Sequence, residues 1–352
     1  MSASRSHRES STHSVMNAAQ LDAVGDPLAV RRIPVPQPGP GEVLVKMEAS
    51  PINPSDLAFM MGGYGFAQGL PVTPGNEGSG LVVATGTGFM AKRLRGKRVA
   101  CFARKGLGGA WAEYMVTRAS LCVPISPDTT FEQAAMSLIN PLTAQAFVQI
   151  VRRERPAAFV NTAAASSLGR MLVRLSSRDD IPLINVVRNE TQAGLLKSMG
   201  AEYVLDSSVV DFEEQLTSLM RRLRATLIFD AVGGPLLGQL LTAAPQGTTI
   251  FSYGRLSDEQ CVIEPGALIL QRKQIVGFFL SDWMEQRTIF QVLADIRRVQ
   301  RSLASEMQTH VRQRVSLEAV NDALRTYRSS MTDGKLLLIP AIESATREDS
   351  GV

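Results

Sequence analysis

The segment Ala163-Ala164-Ala165-Ser166-Ser167-Leu168-Gly169 places small side chains directly after an apolar run, Ala158 to Thr162. In register with the pattern G-x-G-x-x-G, the glycine positions fall on Ala164, Ser166 and Gly169, and only the last is glycine. Small residues between a strand and a helix let a pyrophosphate approach the backbone, where the unpaired N–H groups and positive dipole end of the helix receive it. Close packing of strand and helix asks for the same residues, so the strand-turn-helix context is what favours a dinucleotide. The hydroxyls of Ser166 and Ser167 add donors, and Leu168 opens the helix behind them. Nineteen residues past Gly169, after the next apolar run, stands Arg188. A carboxylate there would accept ribose hydroxyls, whereas arginine pairs with a 2′-phosphate. NADPH is the cofactor this implies, with an ordinary solvated arginine as the alternative.

Other chemistries lack their residues. The chain has three cysteines, Cys101, Cys122 and Cys261, with no Cys-x-x-Cys spacing to begin a zinc site. They read as reduced thiols of a cytoplasmic protein. Of three histidines, His7 and His13 lie near the N-terminus, which leaves His310 alone in the globular region. A histidine-held metal or a Ser-His-Asp site needs partners that this chain does not supply, so no metal site is expected.

The elements that must position these residues follow from periodicity. Residues 1–15, rich in Ser with Arg5 and Arg8, read as a disordered tail, an organelle transit peptide being the other reading. From Met16 to about Val123, short β-like runs (Val43 to Met47, Gly80 to Ala84, Arg98 to Phe102) alternate with Pro and Gly. Beyond Phe131 helices and strands alternate: a helix through Ile150, a strand at Ala158 to Thr162, and a helix from Leu168 to Ser177. Further strands are expected at Leu183 to Val187, Tyr203 to Leu205, Leu227 to Ala231, Thr248 to Tyr253 and Gln274 to Phe279. That alternation predicts a doubly wound parallel sheet. Thr288 to Leu303 reads as an amphipathic helix and Lys335 to Ile339 as a closing strand. The expected division is 16–136 with 285–345 as one domain and 137–284 as the other.

The chain of 352 residues is long enough for two cores, and 45% hydrophobic with 20% charged residues suits a globular protein. No apolar run approaches a membrane span, and no membrane or nucleic-acid partner is expected. The net charge of +4 comes from dispersed Lys and Arg and names no partner by itself.

Several stretches together resemble the zinc-independent medium-chain dehydrogenase/reductase family, in its quinone oxidoreductase and trans-2-enoyl thioester reductase branch. They are Pro51 to Asp56, Gly62-Gly63-Tyr64-Gly65, Pro74 to Gly80, Asn140 to Ala144, Asp230 to Gly234, Tyr253-Gly254 and Gly277 to Leu280. The fold this resemblance implies is α/β, with a GroES-like β-rich catalytic domain, a Rossmann domain with a doubly wound parallel sheet, and the active site in the cleft between them. Zinc-dependent relatives place a cysteine at the position of Asn53 and a histidine at that of Asn76, so the resemblance implies zinc-free chemistry. It makes Tyr64 a proton donor or substrate-positioning phenol, with Asn53 orienting the phenol or the nicotinamide ribose. Read without the family, Tyr64 is a loop aromatic in a Gly-rich segment. Asn140 and Thr143 would face the nicotinamide, with Thr143 touching its carboxamide. Tyr253, Gly254 and Phe279 would line the dinucleotide at strand ends, although Tyr253 and Phe279 also suit core packing.

The activity implied is NADPH-dependent reduction of an activated C=C bond in a 2-enoyl thioester or alkenal. An NADPH:quinone reductase is the alternative, and a non-catalytic NADPH-binding protein the second. The apolar last strand, Gln274 to Leu280, would be an exposed sheet edge unless paired, so a homodimer is expected.

Overall fold

The computed structural model describes residues 14–63, 69–104, 106 and 108–340. These form two compact units, one of residues up to Ala135 with 314–326 and 336 onward, the other of 136–313 with 327–335.

The first unit is mainly β. Strands β1 (Val15–Gln20) and β2 (Ala29–Pro34) pair antiparallel. A larger sheet is built on β3 (Glu42–Pro51), β4 (Glu77–Thr85), β5 (Arg98–Phe102), β6 (Tyr114–Arg118) and β7 (Cys122–Pro124). β3 pairs with both β4 and β6, and β5 with both β4 and β7, all antiparallel. Val43, Val45, Met47, Val82, Val99, Cys101 and Met115 form its core. Short helices α1 (Pro54–Met60) and α2 (Phe89–Leu94) join these strands, and α3 (Phe131–Ala135) follows β7 and packs on β3, β4 and β5.

The second unit contains a parallel sheet of β8 (Ala158–Asn161), β9 (Leu183–Val187), β10 (Tyr203–Asp206), β11 (Ala225–Asp230), β12 (Thr249–Ser252) and β13 (Gln274–Gly277). Its order is β10-β9-β8-β11-β12-β13. The chain leaves β8 toward one edge and returns to fill the other, so a switch point falls at β8, where open parallel sheets bind ligands. Helices α4 (Ile139–Glu154), α5 (Ser167–Arg178), α6 (Glu190–Ser198), α7 (Phe212–Leu223), α8 (Gly234–Ala243), α9 (Pro265–Ile269), α10 (Leu280–Glu285) and α11 (Ile289–Ser302) follow in sequence. On one face Val160, Ile184, Val186 and Ile228 pack with Leu216, Met220 and Leu240. Elsewhere in the unit Phe147 of α4 stacks on Phe229 with ring centroids 4.0 Å apart and meets Tyr253 and Phe278 edge-on.

The stretch 285–345, expected to sit wholly with the first domain, is divided. Residues 285–313 lie in the second unit, because α11 packs on α4. The buried carboxylate of Asp295 fastens that contact: it accepts from Gln149 Nε2 at 2.5 Å and pairs with Arg287 at 2.9 Å. After β14 (Val311–Val315) and α12 (Val320–Ser329), the expected closing strand is present as β15 (Lys335–Leu338), whose Leu337 and Leu338 pair antiparallel with Pro51 and Ser50 of β3.

Candidate functional site

In the second unit, the turn between β8 and α5 has the features that bring a dinucleotide close. Ala163 holds a left-handed φ of 46°, which swings the chain over the end of β8. Ser166 caps α5, its Oγ accepting the N–H of Gly169 at 3.2 Å. Ser167 and Leu168 open the helix, so their N–H groups have no intrahelical carbonyl to meet. A Cβ on Gly169 would drive into the Ala164 backbone, 2.6 Å from its Cα, so only glycine lets turn and helix close. Ala164, Leu168 and Gly169 face the interior, while Ser166 and Ser167 are half-buried. Arg170 ties the turn from behind, donating from Nε to the carbonyl of Ala165 at 2.9 Å and from its guanidinium to that of Thr332.

Arg188 immediately follows β9 and is exposed, its side chain open to solvent at the position where a carboxylate would be needed for an unphosphorylated ribose. Tyr253 follows β12, and its hydroxyl lies 3.5 Å from Asn161 Oδ1. Burial first, and the Asp230 carboxylate second, push that phenol far above its ordinary range, so it stays neutral. A Cβ on Gly254 would stand 2.6 Å from the Ala231 carbonyl. Phe279 precedes α10 and is 38% exposed. In α4, Asn140 is half-buried, and Thr143 is buried with its hydroxyl donating to the Ile139 carbonyl at 2.8 Å. The turn, Arg188, Tyr253-Gly254 and Phe279 all lie just beyond the carboxyl ends of parallel strands of the second unit.

Two of these strand ends are locked together by a side-chain network that no local sequence pattern announces. Thr162 Oγ1 donates to Asp230 Oδ1 at 2.6 Å and accepts the Ala231 N–H at 2.9 Å. The same carboxylate accepts N–H groups of Val232 at 3.0 Å and Gly233 at 2.8 Å. The nearest available signal is an Asp closing an apolar strand three positions before Gly233-Gly234.

In the first unit Asn53 is the N-cap of α1, and its Nδ2 donates to Glu77 Oε1 at 3.0 Å. Asp56 accepts the Asn53 N–H at 2.8 Å, and its other oxygen accepts the N–H and Nδ2 of Asn76 at 2.9 and 2.7 Å. The two asparagines are thus held by two buried carboxylates in one hydrogen-bonded group. Asp56 and Glu77 both lie in the resembling stretches, and neither was singled out from the sequence as a site residue. Tyr64, the candidate proton donor, lies outside the described residues.

Residues 39–127 match the alcohol dehydrogenase GroES-like domain, and residues 167–296 match a family described as zinc-binding dehydrogenase. Over 271 residues the chain is 30% identical to the mitochondrial enoyl-[acyl-carrier-protein] reductase of Xenopus tropicalis, covering 75% of this chain and 77% of that protein. The chain belongs to the medium-chain dehydrogenase/reductase family. Within it, the similarity runs to the quinone and enoyl reductase branch. A crystal structure from Mesorhizobium loti, assigned as an NADPH:quinone reductase, superposes with a TM-score of 0.85 at 36% identity over 93% of this chain and 98% of that one. A mycobacterial member solved in complex with NADPH gives a TM-score of 0.80 at 27% identity, over 92% and 100% of the two chains. This medium-chain reductase therefore has the expected GroES-like and Rossmann architecture. Among the described residues no helix is long and apolar enough to cross a membrane.

Proposed function

We propose that this protein is an NADPH-dependent oxidoreductase that reduces an activated carbon-carbon double bond in a 2-enoyl thioester or alkenal without zinc. The observation that carries it is the Ala163 to Gly169 turn, closed by a glycine that admits no Cβ and followed by exposed Arg188 at the end of the next strand. The N–H groups of Ser167 and Leu168 and the hydroxyls of Ser166 and Ser167 hold the pyrophosphate, and Arg188 pairs with the 2′-phosphate. Asn140, Thr143, Tyr253, Gly254 and Phe279 border the rest of the cofactor. When bound, NADPH supplies the hydride. Tyr64 donates the proton at the substrate's α-carbon or hydrogen-bonds the developing enolate oxygen, and Asn53 orients that phenol. The Asn53 and Asn76 amides, bonded to Glu77 and Asp56, support the zinc-free assignment, since an amide at each position replaces a thiolate and an imidazole.

The relatives named enoyl-[acyl-carrier-protein] reductase favour the enoyl substrate, while the greater identity to the Mesorhizobium loti protein favours NADPH:quinone reduction as the second reading. Tyr64→Phe separates them, because a quinone takes up electrons readily and draws its protons from solvent. Loss of about 100-fold in kcat on a 2-enoyl thioester supports the enoyl assignment. Unchanged turnover on that substrate, with faster NADPH oxidation by quinones, would replace it with the second.

We also place the enzyme in the cytoplasm as a homodimer. β13 ends the sheet with Val276 37% exposed, beside a segment in which Ile269 and Leu270 are 74% and 78% exposed. A second copy pairing along this edge would cover the open strand. Sedimentation that shows a monomer at micromolar concentration would contradict the dimer.

A further inference from the structure

The first unit carries a cationic, apolar tip that reductase chemistry leaves unused. From Gly78 to Ala112 the sequence holds seven Lys or Arg residues and no Asp or Glu. Two of them have structural work: Arg98 donates to the carbonyls of Pro127 and Thr129, and Arg104 pairs with Glu42. Lys92, Arg93, Arg95 and Lys97 are exposed. They cluster on and just after α2, whose Ala91 and Leu94 are buried in the core of the β sheet. The same anchoring turns Phe89 and Met90 outward, 77% and 56% exposed. Arg93 lies over the Phe89 ring, 5.5 Å from its centroid. Beside the helix is an open cavity of about 480 Å³, lined by Gly39, Thr85, Gly86, Thr87, Lys92 and Arg95 among others.

We propose that this tip docks on an anionic lipid bilayer, with Phe89 and Met90 entering the acyl boundary and a phosphate headgroup seated between Lys92 and Arg95. Two adjacent large apolar side chains ringed by cations are what an interfacial anchor needs, since the ring enters the apolar layer while the charges stay at headgroup level. An acidic protein would neutralise the cations but would also need a shaped apolar recess for Phe89 and Met90. The cavity, with two cations, two hydroxyls and glycine backbone on its walls, has the chemistry of a phosphate receptor. The contact is peripheral and departs from the expectation of no membrane partner; among the described residues no helix is long and apolar enough to cross a membrane.

Flotation of the full chain with vesicles of phosphatidylcholine alone, or with phosphatidylglycerol at a roughly 2:1 ratio, tests this. Binding to the anionic vesicles should exceed that to neutral ones by about tenfold at roughly 0.05 M salt and disappear near 0.5 M. The double variants Phe89→Ser/Met90→Ser and Lys92→Glu/Arg95→Glu should each lower binding about tenfold, with turnover and melting temperature unchanged. Equal binding to both vesicle types, or variants that float as wild type, would overturn the proposal. So would failure to float alongside tight, salt-sensitive capture by polyglutamate, which would mark the tip as a surface for acidic protein.

Discussion

Thr162 and Asp230, 68 positions apart in sequence, share a buried 2.6 Å hydrogen bond that joins the carboxyl ends of β8 and β11. Because Asp230 Oδ2 also takes the Gly233 N–H, one carboxylate sets both the end of β8 and the Gly233-Gly234 loop. Asp230→Asn turns an amide donor toward a group that already donates. It should cost about 1–3 kcal/mol in urea unfolding and raise the Kd for NADPH. Wild-type stability in this variant would show that the network does not position the loop.

Gly169→Ala should be more damaging to cofactor binding than its size suggests. The added methyl has no space against the Ala164 backbone, so the turn must open or α5 must shift. Overpacking of this kind costs about 1–3 kcal/mol and should weaken NADPH by about tenfold or more. Isothermal titration of the folded variant, checked by circular dichroism, measures it directly.

Cys101 and Cys122 face each other across β5 and β7, and both thiols are buried. Burial holds Cys101 well above the ordinary thiol value of 9.0 and pushes Cys122 up to about 12. The folded state therefore binds these protons more tightly than the unfolded chain does. That stability is fully present below pH 9.0 and is lost as pH rises toward the raised folded values. A urea midpoint that falls between about pH 9 and 12, less steeply in Cys122→Ala, is the expected result. At neutral pH a thiol reagent should reach Cys261 first, since it is the half-buried one. Prompt labelling of all three in the native protein would contradict this placement.

Asp295→Ala removes the carboxylate that fastens α11 to α4 and leaves Arg287 half-buried without its partner. A loss of about 3–5 kcal/mol is expected. Hydrogen exchange should rise in 289–302 before it rises in the parallel sheet, which is how a peripheral anchor differs from a core residue. Uniform acceleration across both would mean that α11 does not open separately.

Much of this was legible in the sequence where local pattern decides structure. Arg98 to Phe102 and Leu183 to Val187 read as strands with the bounds they adopt, since continuous apolar or β-branched runs need no distant information. The expected strand Val43 to Met47 instead runs from Glu42 to Pro51. Its last residues are held by Leu337 and Leu338, almost three hundred positions away, a partner no local window contains. The bounds of the second unit were hidden similarly, because a buried Asp295 on a polar-looking helix face shows its purpose only beside Gln149. At the candidate site the small-residue turn ending at Gly169 was readable from spacing, whereas Ser166, read only as a hydroxyl donor, also caps α5. The bonds of Glu77 to Asn53 and Asp230 to Thr162 were not, because side-chain partners across strands leave no periodicity.

Arg188, at the end of β9, is the residue proposed to select a phosphorylated dinucleotide for the turn at Gly169. Fluorescence titration with NADPH and NADH, on wild type and Arg188→Glu, tests it most directly. Wild type should bind NADPH at least about tenfold more tightly than NADH, and the glutamate should abolish or invert that preference. Equal affinity for the two coenzymes, unaltered in Arg188→Glu, would contradict the account.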